Sequence, residues 1–203
     1  MKIILASRSP RRREILSGLG LCFDIVSADC DESSETVDPV CLVRELALRK
    51  GRAVRELLFS EGKALTDTLI ISADTVVSVD GEILGKPRDE SEAVSMLSRL
   101  SGRSHRVISG IALLSGEREI SAAEETEVFF SEISVREIER YVASGEPMDK
   151  AGAYAVQGGA SLWIERLSGD YFNVVGLPVH RLELLVREFL GCSLLDVERR
   201  SDT

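Results

Sequence analysis

The run Ser7-Arg8-Ser9-Pro10-Arg11-Arg12-Arg13 follows the apolar stretch Ile3-Ile4-Leu5-Ala6 and opens a segment of helical spacing. A strand that ends in a Ser-rich turn, with Ser9 as N-cap and Pro10 at the first helical position, points free backbone N–H groups outward. The helix dipole adds partial positive charge at the same place, and arginines fork onto phosphate oxygens two bonds at a time. This pattern reads as an anion site. It does not read as a nucleophile site. Nothing near Ser7 or Ser9 supplies a base, and neither His105 nor His180 stands beside a paired Ser or Cys. Cys22, Cys30, Cys41 and Cys192 show no C-x-x-C spacing and lie far apart, which supports neither a zinc knuckle nor a redox pair and leaves buried or incidental thiols.

The basic cluster stands out against an acidic chain. Among 203 residues, 34 Asp plus Glu against 25 Lys plus Arg give a net charge of −9. Duplex binding requires many phosphates to be neutralised at once, so this balance argues against a nucleic-acid binder and for a small phosphorylated ligand. A hydrophobic fraction of 44% and a charged fraction of 29% suit a soluble globular protein. The length fits one folding unit, either a single α/β domain or two small lobes. No stretch approaches the ~20 apolar residues of a membrane span. Ile3 to Ala6 is too short for a signal-peptide core, so the expected location is the cytoplasm, away from membranes.

The elements that would position these groups alternate between helix and strand. Ile15, Leu16 and Leu19 give the first helix an apolar face, ended by Gly18 and Gly20, and a second strand fits Cys22 to Ser27. Asp29, Asp31, Glu32 and Glu35 follow in an acidic loop. Asp38-Pro39 then starts a long helix in which Val43, Leu46, Ala47, Ala53, Val54, Leu57 and Leu58 recur at helical spacing around Lys50. Thr68 to Ala73 is a buried-strand pattern that places Asp74 and Thr75 at its end, and Val76 to Val79 carries it on to the hairpin signal Asp80-Gly81. Asp89 caps a helix closed by Gly102, Val107–Leu114 and Ile120–Phe130 read as an antiparallel pair in mid-sheet, and Ser134 with Glu137 has capping-box spacing. A Gly-rich loop runs from Gly145 to Gly159. Leu162–Glu165 and Tyr171–Val174 read as a last pair of strands, Pro178 begins a C-terminal helix, and the tail from Glu198 should fray. Because the central strands come as hairpins, the expected fold class is α/β with a mixed sheet and flanking helices.

The ordered set of Ser7-Arg8-Ser9-Pro10-Arg11-Arg12, the Ala73-Asp74-Thr75 segment, Gly85-Lys86-Pro87, Asp149-Lys150-Ala151-Gly152-Ala153-Tyr154 and Val175-Gly176-Leu177-Pro178 resembles the Maf family of house-cleaning nucleoside triphosphate pyrophosphatases over nearly the whole chain. The resemblance implies an elongated structure with two lobes around a central cleft, similar to the inosine triphosphate pyrophosphatases, and a homodimer. Within the family the chain is similar to the branch acting on dTTP and UTP, whose Arg, Thr and Gln fall here on Arg12, Thr75 and Gln157. The rival reading is a nucleotide-binding regulator of cell division in which hydrolysis is incidental.

The reaction implied is attack of water between the α and β phosphates, which needs a base and positive charge around an anionic substrate. The resemblance assigns proton acceptance to Asp74. Glu32 would join Asp74 in holding a divalent cation, Mg²⁺ or Mn²⁺, through hard oxygen ligands. Ser7, Arg11, Arg12, Lys50, Lys86 and Lys150 would contact the triphosphate. Gln157 suits base reading, since its amide donates to a pyrimidine carbonyl and accepts from the ring N–H, a pattern shared by thymine and uracil but not cytosine. Each has a plainer alternative: a solvated helix start for the arginines, a turn cap for Asp74, a solvent face for the acidic loop, a snorkelling stem for Lys50. Two departures from the family pattern bear on this. Gly51 in place of Ala costs its helix about 1 kcal/mol in an exposed setting. Asp170 in place of Ser sets a carboxylate where it repels a triphosphate unless it points away.

Overall fold

A computed structural model of the chain describes residues 1–197; the tail read from Glu198 onward lies outside the described residues. β1 (Lys2–Leu5) is short, and Ile3, Ile4 and Leu5 are buried because a parallel strand lies on either side, β2 (Asp24–Ile25) and β3 (Thr68–Val79). β3 returns as β4 (Glu82–Leu84) through Asp80-Gly81, whose φ values of 54° and 79° are those a tight hairpin turn demands. β5 (Ser104–Ser115) and β6 (Arg118–Phe130) are joined by two residues and therefore run antiparallel, and β6 pairs antiparallel with β7 (Ile164–Ser168). The strands form a seven-stranded mixed sheet in the order β2-β1-β3-β5-β6-β7, with β4 paired to β3 off that path. The α/β class with a mixed sheet is as the sequence pattern requires.

The helices begin where local chemistry starts them. α1 (Pro10–Gly18) has Pro10 in its first turn, and α2 (Pro39–Ser60) is capped by Asp38, whose carboxylate accepts from the Cys41 N–H at 2.8 Å. Asp89 caps α3 (Glu90–Leu100) in the same way, and Ser134 with Glu137 closes a complete capping box on α4 (Val135–Val142). α6 (Val179–Leu190) follows Pro178.

Tyr171–Val175 is a helix, α5, and not a strand. Asp170 caps it by accepting from the Phe172 N–H at 2.7 Å, and Asn173 is drawn inward to donate to the Val107 carbonyl and the Thr126 hydroxyl, each at 2.9 Å. Asp170 therefore spends its carboxylate on a helix start. The second strand shrinks to Asp24–Ile25, and Leu162 lies in a 3₁₀ turn ahead of β7. None of the four cysteines is buried: Cys22 and Cys41 are exposed, Cys30 and Cys192 partly so.

The chain divides into two compact units, with the divisions inside β3 between Asp74 and Thr75, inside β5 between Ile108 and Ser109, and inside β6 between Glu124 and Glu125. The first unit holds residues Met1–Asp74, Ser109–Glu124 and the segment from Gly176 onward. Its core sets Ile4, Ile70 and Leu114 of the sheet against Ala47, Val54 and Leu58 of α2, and each large side chain buried there contributes roughly 1.5–3 kcal/mol. α2 lies against the sheet with two glycines at the contact. A Cβ on Gly110 would stand 2.2 Å from the Val43 carbonyl oxygen, and one on Gly51 would stand 2.3 Å from Leu114 Cδ1 and 2.8 Å from Ser72 Oγ. Gly51 is buried, so the exposed-helix penalty expected of it is replaced by a packing role.

The second unit holds Thr75–Ile108 and Glu125–Val175. Val77, Val107, Val128 and Phe130 of its strands pack with Leu97 of α3 and Ile138 of α4. His105, Phe130 and Tyr154 meet edge to face at centroid distances of 4.9 to 5.3 Å, and His105 Nε2 shares a 2.7 Å hydrogen bond with the Tyr154 hydroxyl. Burial pushes the His105 pKa down from 6.5 to about 4 and pushes that of the Tyr154 phenol up.

Two outcomes follow from this packing. Gly110→Ala should lower stability by about 3 kcal/mol in urea unfolding, since the obstructing atoms are backbone; a loss below about 1 kcal/mol would mean that α2 can ride off the sheet. His105 is neutral in the folded protein but protonates below pH 6.5 when unfolded, so its contribution to stability is lost as pH falls from 6.5 towards 4. Urea unfolding at pH 5 should accordingly give about 2 kcal/mol less than at pH 7, a difference that His105→Phe removes.

Candidate active site

The loop after β1 is built around one buried arginine. Arg12 donates from Nε to the Gly176 carbonyl and from Nη1 to the Ala73 carbonyl, both at 2.8 Å, and from Nη1 to Ser7 Oγ at 3.3 Å. Ser7 Oγ also accepts from the Ser9 N–H at 3.2 Å. Ser9 occupies the N-cap position of α1 but makes no side-chain cap, so the hydroxyl that organises the turn belongs to Ser7. Burial lowers the pKa of the Arg12 guanidinium, while the charge of Asp74 opposes that shift. Arg11 is half-buried beside it, and Arg8 turns away to Asp29 Oδ1 at 2.6 Å.

Arg12 grips the carbonyl immediately before Asp74. Asp74 is not at a strand end: β3 runs through it to Val79, and the residue is 8% exposed in mid-strand. Its Oδ1 accepts from Lys50 Nζ at 2.6 Å, and the same ammonium lies 3.2 Å from Glu32 Oε1. The register that makes this meeting is visible two residues earlier. Ser72 and Asp74 share a face of β3, and Ser72 donates to the Ala47 carbonyl of α2 at 2.7 Å, one helical turn before Lys50. Gly51 leaves room for that hydroxyl.

Glu32 comes from the acidic loop, which is fastened and not merely solvated. Arg49 donates to the carbonyls on either side of Glu32, those of Asp31 at 3.2 Å and Ser33 at 2.5 Å, and pairs with Glu45. Glu45 accepts in turn from Ser34 Oγ at 3.1 Å and Thr36 Oγ1 at 2.7 Å, hydrogen bonds that lower its pKa, that from Thr36 most. Arg49, Glu45 and Ser72 are supporting residues that the sequence reading did not single out. The i, i+4 spacing of Glu45 and Arg49 could have flagged those two, while nothing in the neighbouring sequence marks Ser72.

Two carboxylates thus reach one cation, with Lys50 standing between them. Carboxylate oxygens are hard ligands of the kind that Mg²⁺ and Mn²⁺ take. Among the described residues no group of three or more His, Cys, Asp or Glu is placed to hold a metal ion.

Thr75, Lys86, Lys150 and Gln157 belong to the other unit. Thr75 is half-buried on β3, and Lys86 is exposed in the loop after β4. That loop is tied to the Asp149–Tyr154 segment by the Gly152 N–H, which donates to the Gly85 carbonyl at 3.0 Å. Gly152 has φ 67°, and a Cβ there would stand 2.8 Å from Val77 Cγ2 and 2.9 Å from its Cβ, so a side chain is disfavoured on both counts. Lys150 Nζ donates to the Glu146 carbonyl at 2.8 Å and to Asp149 Oδ1 at 2.5 Å, which commits much of its ammonium to its own loop. Gln157 is exposed at the tip of a turn.

A family model described as Maf-like protein matches residues 2–189. Among curated proteins, one from Symbiobacterium thermophilum named dTTP/UTP pyrophosphatase is 49% identical, over 93% of this chain and 94% of that protein. Proteins of the same name from Alkaliphilus oremlandii and Chromobacterium violaceum are 46% and 48% identical, covering 96% and 93% of this chain and 99% and 94% of their own. A solved structure, that of the Staphylococcus aureus Ham1 protein, aligns with a TM-score of 0.45 at 13% identity, over 64% of this chain and 72% of that one.

Arg12→Lys keeps the charge but cannot hold the Ala73 and Gly176 carbonyls together. Urea unfolding should show a loss of about 1–3 kcal/mol, and unchanged stability would mean that the fork carries no structural weight.

Proposed function

The chain belongs to the Maf-like protein family, and from that premise we propose that it hydrolyses dTTP and UTP to the nucleoside monophosphate and pyrophosphate, clearing unwanted pyrimidine nucleotides from the pool. The observation that carries the chemistry is the meeting of Asp74, Lys50 and Glu32.

Water attacks the α phosphorus, the bond from that phosphorus to the bridging oxygen breaks, and pyrophosphate leaves. Asp74 takes the proton of the attacking water; it is held for that task by the Arg12 grip on Ala73 and by Lys50. Lys50 brings a fixed positive charge to the carboxylate pair and, with Arg11, Arg12 and Ser7, offers charge and donors to phosphate oxygens. Glu32 and Asp74 would hold a divalent cation, which when bound supplies Lewis acidity and neutralises phosphate charge. In the second unit, Lys86 and Lys150 are the cations assigned to the triphosphate, and Gln157 with Thr75 reads the base. Cytosine presents a lone pair and an amino group where thymine and uracil present an N–H and a carbonyl, so Gln157 would face it with unmatched polar groups.

No described helix is long and apolar enough to cross a membrane. The cytoplasmic location and the absence of nucleic-acid partners expected from the sequence, with the homodimer implied by the family resemblance, complete this reading.

Incubation with dTTP, UTP, CTP, ATP and GTP, with and without Mg²⁺, tests it. Pyrophosphate and monophosphate should form fastest from dTTP and UTP, and Asp74→Asn, which keeps an acceptor for Lys50, should lower kcat by about a hundredfold or more while the protein stays folded. Release of orthophosphate and a diphosphate would move the attack to the γ phosphorus and overturn the scheme.

A further inference from the structure

The turn that presents Gln157 is gripped on both sides by one pair of side chains. The Gly158 N–H donates to the Ala155 carbonyl at 3.1 Å, closing a four-residue turn with Gln157 in its third position, and Val156 is buried while Gln157 points out. Two residues before Gln157, the Ala155 N–H donates to the Tyr141 hydroxyl at 3.3 Å. Two residues after it, the Gly159 N–H donates to Glu146 Oε2 at 3.3 Å. Tyr141 and Glu146 are joined, the phenol donating to Glu146 Oε1 at 2.8 Å, so the two side chains that hold the turn are coupled to each other.

The glycines of the turn are explained by the same contact. Gly158 has φ −110°, a conformation open to any residue, yet a Cβ there would stand 1.7 Å from Glu146 Oε1. A side chain there would have to displace the carboxylate and so break its hold on the turn. A Cβ on Gly159 would stand 3.2 Å from the Tyr141 ring, which is itself packed edge to face on Trp163 at 5.2 Å. Glu146 also accepts Lys150 Nζ on its backbone carbonyl, so a single residue reaches the base-reading turn through its side chain and a triphosphate lysine through its main chain.

We propose that Glu146, buttressed by Tyr141, is a positioning residue for pyrimidine selection, holding the Ala155–Gly159 turn so that the Gln157 amide meets the base in a fixed orientation. The inference rests on the assignment of base reading to Gln157. A glutamine amide distinguishes uracil from cytosine only if its donor and acceptor are correctly ordered in space, and an exposed side chain on an ungripped turn would rotate to serve either base. Glu146 touches no substrate in this account; its effect passes through the turn.

The test measures kcat and KM for UTP and CTP in the wild-type protein, Glu146→Ala, Tyr141→Phe, Gln157→Ala and the Glu146→Ala/Gln157→Ala double variant. Glu146→Ala should lower the UTP-to-CTP ratio of kcat/KM by tenfold or more, Tyr141→Phe should shift it in the same direction, and the double variant should match Gln157→Ala alone. Tyr141→Phe keeps the ring packing on Trp163 and so reports on the grip if Glu146→Ala fails to fold. An equal loss for both nucleotides in Glu146→Ala or Tyr141→Phe, with the ratio within twofold of wild type, would reduce the grip to a structural role and overturn the proposal. A ratio left unchanged by Gln157→Ala would instead remove base reading from Gln157, and the proposal with it; the two failures are thereby told apart.

Discussion

Lys50 meets Asp74 because α2 lies on β3 with a glycine and a serine hydroxyl between them. The Ser72 bond to the Ala47 carbonyl sets the helix against the strand in one register, and that register decides which α2 side chain stands over Asp74. A partly buried ion pair of this kind is tolerable only with good geometry and further partners. Glu32 supplies one partner to Lys50, and Arg12 fixes the backbone just ahead of Asp74. The loop after β1, the acidic loop and α2 are all arranged around that contact.

The chain uses its cations in two ways. Arg12 and Arg49 are turned inward on backbone carbonyls, where their planar forks hold two acceptors at once. Lys50 carries a compact charge to two carboxylates, a task that needs no fork. A net charge of −9 disfavours an anionic substrate at long range, so local placement of these cations matters more than their number. Carboxylates serve similarly as fasteners: Glu45 secures the loop of Glu32, Asp170 caps α5, and Glu146 grips a turn.

Two errors of sequence reading share a cause. Tyr171–Val175 has the aromatic and β-branched content of a strand, but Asp170 offers a cap and Asn173 finds two buried partners from other strands, and these long-range bonds outweigh local preference. Gly51 looks like a weak point of an exposed helix until the sheet is placed beside it. In both cases the deciding atoms lie far away in sequence.

What the amino-acid order determined by itself was whatever depends on neighbours along the chain. The Asp38 and Asp89 caps, the capping box at Ser134, the Asp80-Gly81 turn, the apolar face of α2 and the strand–turn–helix start at Ser7 all rest on contacts within a few residues, so spacing alone reveals them. The residues of the candidate site were legible as types, an acid after an apolar run, a lysine on a long helix, a glutamine in a Gly-rich loop. Tertiary structure decided their partners: that Lys50 sits on Asp74 and Glu32, that Arg12 holds the Ala73 and Gly176 carbonyls, and that Tyr141 and Glu146 hold the backbone two residues before and two residues after Gln157. Such pairings require a strand, a helix and a loop to be brought together at a fixed register, and no periodicity within one element carries that information.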